Sequence, residues 1–218
     1  MRIISLSVIF IGLVLIAVSC KDRAAGKRYG IKKGIVVSES IYSGNRAKST
    51  ITMHFDDYGE KEYTIAKSET GVNGVVKISE QQSLLDGEFF YTWDKETKKG
   101  SKFKYAEILD PFKLSKEDFT EDMKKQFNFK ELGIDTVLGK PCNVVSLSFN
   151  GVQGKMFSWK NIILKSEISS QGVQVTTQAI SLDESPKFDK ELFELPQGNI
   201  EFSEFVMPEG PPKKGSPQ

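Results

Sequence analysis

The chain has 218 residues, with 30 basic and 29 acidic side chains, one His and two Cys. This length suits one domain with a sizeable core. So few His and Cys side chains exclude a disulfide-rich scaffold and a Cys-rich or His-rich metal cluster. The net charge of +1 gives no electrostatic basis for binding nucleic acid. We therefore expect no nucleic-acid partner, no metal and no cofactor.

The first twenty residues have the features of an export signal. Met1-Arg2 precedes an apolar run from Ile3 to Val18, which is shorter than the roughly 20 residues of a membrane-spanning helix. The end of this run, Ala17-Val18-Ser19-Cys20, resembles a bacterial lipobox. The resemblance implies that Cys20 is acylated and that residues 1–19 are removed as a lipoprotein signal peptide. A conventional signal peptide and a single anchor helix are the alternatives.

A lipidated Cys20 would attach the chain to a membrane without a spanning segment. Residues 20–27 would then form the lipid anchor and a short tether. Lys21 follows Cys20, where Asp would resemble an inner-membrane retention signal, so we expect an outer-membrane lipoprotein. Cys20-Lys21-Asp22 also resembles part of the export tag of surface lipoproteins in Bacteroidota, although Arg23 interrupts it. The periplasmic face and the cell surface both stay open.

Alternation of apolar and polar residues predicts strands along most of the chain. Thr50–Phe55 and Glu88–Trp93 alternate in this way. The pairs Asp86-Gly87 and Asn150-Gly151 can adopt the positive φ angles of tight hairpins. The spacing between such turns favours an antiparallel meander over βαβ units. Further alternating runs lie at 145–149, 157–159 and 173–179.

One mid-chain segment has helical periodicity instead. Ser115 can cap a helix, and Phe119, Met123 and Phe127 repeat at helical spacing. Gly133 is a typical stop signal. We therefore predict a helix between two groups of strands.

These elements predict a mainly β fold, a curved antiparallel sheet that forms an open half-barrel, with the mid-chain helix covering its concave face. The single domain would span 28–207, and a Pro-rich disordered tail would follow at 208–218. The space between helix and sheet would be either an apolar ligand cavity or a core filled by the chain's own side chains. The residues predicted to line it are Met53, Phe55, Tyr63, Ile65, Phe89, Tyr91, Trp93, Phe119, Met123, Phe127, Phe157 and Trp159.

No set of residues indicates a catalytic site. His54, Asp56 and Asp57 make a weak metal-ligand set and are more typical of a solvated strand end. Cys142 is the one thiol left if Cys20 is acylated. It is more typical of a small apolar residue that begins a buried strand than of a nucleophile. We expect a protein that is not an enzyme.

Five short motifs follow one another along the chain at Tyr29–Ile35, Phe55–Glu62, Val137–Cys142, Trp159–Glu167 and Leu192–Pro196. In this order they resemble a family of Bacteroidota envelope lipoproteins. That family is similar in layout to periplasmic lipoprotein-sorting carriers and their outer-membrane receptor. The resemblance implies a half-closed antiparallel barrel that binds a lipid, or the acyl chain of a lipoprotein, inside. The alternative is a non-enzymatic structural or interaction lipoprotein with a filled core. The oligomeric state is not indicated.

Overall fold

The structure is a computed structural model, and it describes residues 27–43, 48–72, 75–104, 120–196 and 200–204. The predicted signal peptide, Cys20 and the predicted tail lie outside the described residues, as do Ser115 and Phe119. Within these ranges, no helix is both long and apolar enough to cross a bilayer.

The described part of the chain forms one open sheet of twelve strands, which confirms the predicted mainly β, mainly antiparallel fold. The strands are β1 Gly34–Tyr42, β2 Lys48–Asp56, β3 Lys61–Val72, β4 Val75–Leu85, β5 Phe89–Asp94, β6 Lys99–Lys104, β7 Lys130–Val137, β8 Lys140–Phe149, β9 Val152–Trp159, β10 Ile162–Ser170, β11 Val173–Asp183 and β12 Glu201–Glu204.

The sheet consists of two meanders joined through its middle. Strands β1 to β6 follow one another as antiparallel neighbours, and so do β7 to β11. Strand β1 pairs with β11 and joins the two halves. The order ends with β7 at one edge and β12 at the other, and β12 pairs in parallel with β6.

Tight turns connect the strands as their sequences predict. Asn150 and Gly151 join β8 to β9 with φ angles of 48° and 80°, the positive pair that a type I′ hairpin requires. Gly87, between β4 and β5, has a φ of 95°. The Asp86 carboxylate next to it accepts hydrogen bonds from the backbone N–H groups of Glu88 and Phe89, a local bond that stabilises such turns.

The structure has one α-helix in its described part, α1 at Glu121–Gln126. Its N-cap is Thr120, whose hydroxyl accepts a hydrogen bond from the Met123 N–H. The helix is shorter than predicted because Asn128 adopts a φ of 47°, which a helix does not allow. Gly133, the predicted stop, lies instead at an irregularity in β7.

Side chains that lie opposite one another in neighbouring strands share a face of the sheet. A row of such partners runs from Lys165 in β10 through Gln178 and Glu39 to Lys67 in β3. Tyr63 lies on the same face of β3 as Lys67, since side chains alternate along a strand. We call this side the front face. The back face is the side that carries Met53 and Phe55 in β2 and Leu147 and Met156 in β8 and β9.

The buried apolar side chains form three clusters. The first combines residues of β1, β2 and β7 to β11 with Tyr29, and includes Val36, Phe55, Phe157, Ile162 and Leu164. The second joins Met123 and Phe127 to Leu147 and Met156, so α1 packs on the back face. The third contains Leu84, Tyr91 and Trp93.

Candidate functional site

The third cluster is an aromatic surface on the front face of β3, β4 and β5. Tyr63 lies opposite Leu84, and Leu84 lies opposite Tyr91, so the three side chains form one row across three strands. Trp93 lies on the same face of β5 as Tyr91 and is 3% exposed. Phe89 packs against the edge of this group. We call these five residues the aromatic site.

A segment after β11 covers the aromatic site. We call residues 184–204 the C-terminal strap; the structure describes 184–196 and 200–204 of it. The strap includes the 3-10 turn Lys190–Phe193 and β12. Its side chains Phe193, Ile200 and Phe202 pack against the aromatic site. The predicted helical cover over Tyr63, Tyr91 and Trp93 is therefore not α1, which packs on the other face.

Phe202 makes the closest described ring contacts of the strap with the site. Its ring centroid lies 5.3 Å from that of Tyr91 and 6.3 Å from that of Trp93, edge-on in both cases, a favourable aromatic geometry. Gly100, opposite Trp93 in β6, allows this approach. A Cβ at Gly100 would lie 2.4 Å from the Thr92 carbonyl oxygen and 3.0 Å from the Phe202 ring.

A second line of ring contacts holds the strap at β2. Phe188 lies edge-on to Phe193 at 5.3 Å and edge-on to His54 at 6.1 Å. Burial lowers the pKa of His54, and a hydrogen bond to the Tyr63 backbone acts in the opposite direction. His54 Nδ1 is buried and has no hydrogen-bond partner in the described part of the chain. His54 is therefore half-buried between rings, and not at the solvated strand end that the sequence suggests.

Charged groups lie at the rim of the aromatic site. The Lys102 ammonium is 3.7 Å from the ring centroid of Phe89 and 5.5 Å from that of Tyr91. Burial raises the pKa of Tyr91, the Asp86 carboxylate raises it further, and Lys102 acts in the opposite direction. The site thus combines a buried apolar floor with a lysine and an aspartate at its edge.

The structure distributes the residues predicted to line a cavity among the three clusters. It brings four of them together in the aromatic site: Tyr63, Phe89, Tyr91 and Trp93. Others belong to the first cluster: Met53, Phe55, Phe157 and Trp159. Met123 and Phe127 belong to the second cluster. Ile65 is half-buried on the front face, outside these clusters.

The residues of the strap and Lys102 are not among those that the sequence predicts for the site. Phe193 lies in the motif Leu192–Pro196, so a signal was present, but nothing local indicates which surface it covers. Phe202 follows an undescribed stretch and lies in a strand of only four residues. Its position becomes visible only when β12 pairs with β6, because that pairing joins residues far apart in the chain.

The structure also places Cys142 and the weak metal-ligand set of His54, Asp56 and Asp57. Cys142 is fully buried in β8, as predicted, and burial raises the pKa of its thiol. Its Sγ–H donates to the Lys140 carbonyl at 3.5 Å. Asp56 accepts a hydrogen bond from the Asp57 N–H, in a cap typical of a turn. No group of three or more His, Cys, Asp or Glu side chains within the described ranges could hold a metal ion.

The fold and the site define a class of protein: an open β-sheet with an aromatic surface covered by a strap from the same chain. No protein-family model matches the chain, and no curated protein matches it by sequence.

Several solved structures resemble it weakly. The MucA/MucB complex of Pseudomonas aeruginosa is similar over 75% of this chain and 56% of the other, with 12% identity and a TM-score of 0.46. This chain thus spans about half the length of that neighbour. A putative outer membrane lipoprotein-sorting protein domain from Vibrio parahaemolyticus matches 77% of this chain and 92% of its own, at 9% identity and a TM-score of 0.34. LprF from Mycobacterium bovis matches 74% and 89%, at 12% identity and a TM-score of 0.36. Likeness at this level does not indicate what the chain binds.

Proposed function

We propose that the protein is a lipid-anchored, non-enzymatic protein of the cell envelope that binds an amphiphile at the aromatic site. The ligand would be a lipid or the acyl chain of a lipoprotein. The observation that carries the proposal is that the C-terminal strap covers the aromatic site with apolar side chains. Phe193, Ile200 and Phe202 occupy the front of the aromatic site, and they are the chemical equivalent of an apolar ligand.

The strap is suited to displacement because few backbone hydrogen bonds hold it. Strand β12 has four residues, whereas β3 and β4 pair over eleven positions, from Glu62–Leu85 to Val72–Val75. Removing the strap would expose Trp93, Tyr91 and Leu84 to water, which is unfavourable unless another apolar group replaces it. Each CH2 group of an acyl chain buried there contributes about 0.8 kcal/mol. An acyl chain can therefore offset the loss of the strap's contacts.

Lys102 supports an anionic or zwitterionic headgroup for this ligand. Its ammonium lies over Phe89, at the edge of the aromatic site, where the headgroup of a chain lying on Tyr91 and Trp93 would emerge. A lysine makes a compact, adaptable partner for carboxylate or phosphate. The site would thus bind an acyl chain by burial and its headgroup by charge.

The membrane attachment belongs to the same proposal. In this proposal Cys20 is acylated, residues 20–27 form a tether, 28–207 form a single half-barrel domain with its front face concave, and 208–218 form a free tail. This arrangement would place the aromatic site close to the outer membrane. Membership of the Bacteroidota envelope lipoproteins is part of this proposal. Whether the domain lies on the periplasmic face or the cell surface is a question for surface labelling.

A photoreactive fatty acid tests the proposal in membranes. The full-length chain is produced in envelope vesicles, a palmitate analogue with a diazirine near the end of its chain is added, and cross-linked peptides are identified by mass spectrometry. We expect adducts on peptides that contain Trp93 or Phe202. The matched control is Phe149, a half-buried ring on the back face in the second cluster. Adducts that are as frequent at Phe149 as at Trp93 would overturn the proposal.

The alternative function is a structural or interaction lipoprotein, and the ring contacts of Phe202 favour it as a specific observation. If the strap is a permanent part of the core, the aromatic site is filled and has no ligand. This alternative predicts no adducts at Trp93 and the same amount of bound lipid, by native mass spectrometry, for the intact chain and for Phe202→Ala. Acyl-chain binding that increases in Phe202→Ala would exclude it.

A further inference from the structure

The front face carries a concavity at the opposite half of the sheet from the aromatic site. It is an open groove of about 380 Å³ over β8, β9, β10 and the start of β11. The groove lies beside β7, and β1 and β2 separate it from the aromatic site in the strand order. Its lining is mostly polar and includes Lys130, Ser146, Ser148, Gln153, Lys155 and Glu167.

Strand pairing arranges the polar side chains of the groove in two rows. In the first row, Lys130 lies opposite Ser146, which lies opposite Lys155, which lies opposite Glu167. Neighbouring strands are about 4.8 Å apart, so this row spans roughly 14 Å. The row holds its groups at fixed intervals, because each one stands on a paired strand.

The second row contains hydroxyl and amide groups. Ser148 lies opposite Gln153, Gln153 opposite Ser169, and Ser169 opposite Gln174. The Asn128 amide donates a hydrogen bond of 3.0 Å to the Ser148 hydroxyl. These groups both donate and accept hydrogen bonds, which suits a ligand with many hydroxyls.

The groove has an excess of positive charge. Glu167 pairs with Lys165 at 2.7 Å, so its charge is neutralised by a residue next to the groove. The Lys155 ammonium lies 4.8 Å above the ring of Phe157, and neither Lys155 nor Lys130 is within salt-bridge distance of a carboxylate in the described part of the chain. Two lysines about 10 Å apart, with one strand between them, are therefore available to an anion.

We propose that this groove binds an anionic glycan, a sugar chain that carries carboxylate or phosphate groups. Lys130 and Lys155 would bind the charged groups, and Ser148, Gln153 and Ser169 would bind the sugar hydroxyls. A long acyl chain does not suit this surface, because its side chains are mostly polar and desolvating them without hydrogen bonds is unfavourable. The groove is distinct from the aromatic site, so its proposal does not depend on acyl-chain binding.

Calorimetric titration of the full-length chain in nanodiscs tests the proposal. The probes are tetragalacturonate, glucose 6-phosphate, the neutral maltotetraose, and citrate as an anion without a sugar. We expect tetragalacturonate or glucose 6-phosphate to bind at least about tenfold more tightly than maltotetraose, the ratio for one charged hydrogen bond. Both should also bind more tightly than citrate, which lacks the hydroxyls of a sugar ring. Equal binding of citrate would overturn the proposal in favour of a simple anion site. Equal binding of maltotetraose, or no binding of either anionic sugar at millimolar concentration, would also overturn it.

Variants locate the site. The double variant Lys130→Gln/Lys155→Gln should bind the anionic sugar about tenfold more weakly. The double variant Ser148→Ala/Gln153→Ala should bind it severalfold more weakly. Lys48→Gln is the matched control, because Lys48 is an exposed lysine of β2 that lies three strands beyond Glu167 in the same row and does not line the groove. Both groove variants remove partly or fully exposed side chains, so circular dichroism should match the parent chain. An equal loss in Lys48→Gln, or no loss in either groove variant, would contradict the assignment.

Discussion

The phenol of Tyr29 donates a 2.8 Å hydrogen bond to the carboxylate of Glu62, a buried group 33 residues further along the chain. Arg28 forms a salt bridge of 3.0 Å with the same carboxylate, with side-chain exposures of 10% for Arg28 and 6% for Glu62. Arg28 also donates to the Gly59 carbonyl. These contacts fix the start of the described chain to the β2–β3 connection. The first residues of the described chain are therefore held against the folded domain.

Glu62→Ala should destabilise the fold by about 3 kcal/mol, because it removes the buried carboxylate that pairs with the Arg28 guanidinium. Tyr29→Phe removes the hydrogen bond that the hydroxyl donates to Glu62 and the one that it accepts from Arg28, and it should cost about 2 kcal/mol. Urea unfolding followed by circular dichroism measures both. Glu88→Ala, which removes an exposed carboxylate near β5, is the matched control. A Tyr29→Phe variant as stable as Glu88→Ala would show that the network contributes little.

Phe202→Ala should have opposite effects on stability and on ligand binding. The loss of a half-buried ring should lower the free energy of unfolding by about 2 kcal/mol. The same change uncovers Tyr91 and Trp93, so the affinity for a dansyl-labelled fatty acid should rise severalfold. Fluorescence titration of the two proteins checks the second effect. Phe149→Ala, on the back face, should lower stability without raising the affinity; a rise in both variants would mean non-specific exposure of apolar surface.

Lys102→Gln should weaken the binding of a fatty-acid anion about fivefold and leave a monoacylglycerol of the same chain length unaffected, since only the charged headgroup gains from the ammonium. Lys99→Gln lies on the same strand but on the other face, and it should change neither affinity. Competition against the dansyl probe gives both values. If Lys102→Gln weakened both ligands equally, Lys102 would contribute packing over Phe89 and no charge recognition.

His54 should make the strap sensitive to pH. Burial lowers the pKa of His54 in the folded chain, so the unfolded chain binds a proton first as the pH falls. The stability contributed by neutral His54 is complete above the unfolded pKa of about 6.5 and is lost as the pH falls through that value towards the lower folded pKa.

The measurement is the urea midpoint at several pH values between neutral and mildly acidic. His54 is the one histidine of the chain, so the decrease should disappear in His54→Gln. Hydrogen exchange of the strap should accelerate over the same pH interval, because Phe188 contacts His54 directly. A midpoint that falls equally in His54→Gln would assign the effect to carboxylates.

Local chemistry determined the strands and turns of this protein. The alternation in Thr50–Phe55 and Glu88–Trp93 predicted β2 and β5 because side chains point to opposite faces of a strand at every step. Asn150-Gly151 predicted a hairpin because these residues accept positive φ angles. The grouping of Phe89, Tyr91 and Trp93 on one face followed from the same rule, so much of the aromatic site was already visible in the sequence.

Tertiary structure alone decided how these elements combine. Nothing local indicates that β1 pairs with β11, the pairing that joins the two halves of the sheet. The register of β2 with β3 places Tyr63 opposite His54, so Tyr63 and Met53, both predicted to line one cavity, lie on opposite faces with different neighbours. The length of α1 depended on Asn128 and on the pairing of β7 with β8. Trp93 is covered by Phe202, which lies more than a hundred residues later in the chain. The reason is that burial of apolar surface is favourable for any segment that reaches that surface, whatever the position of the segment in the sequence.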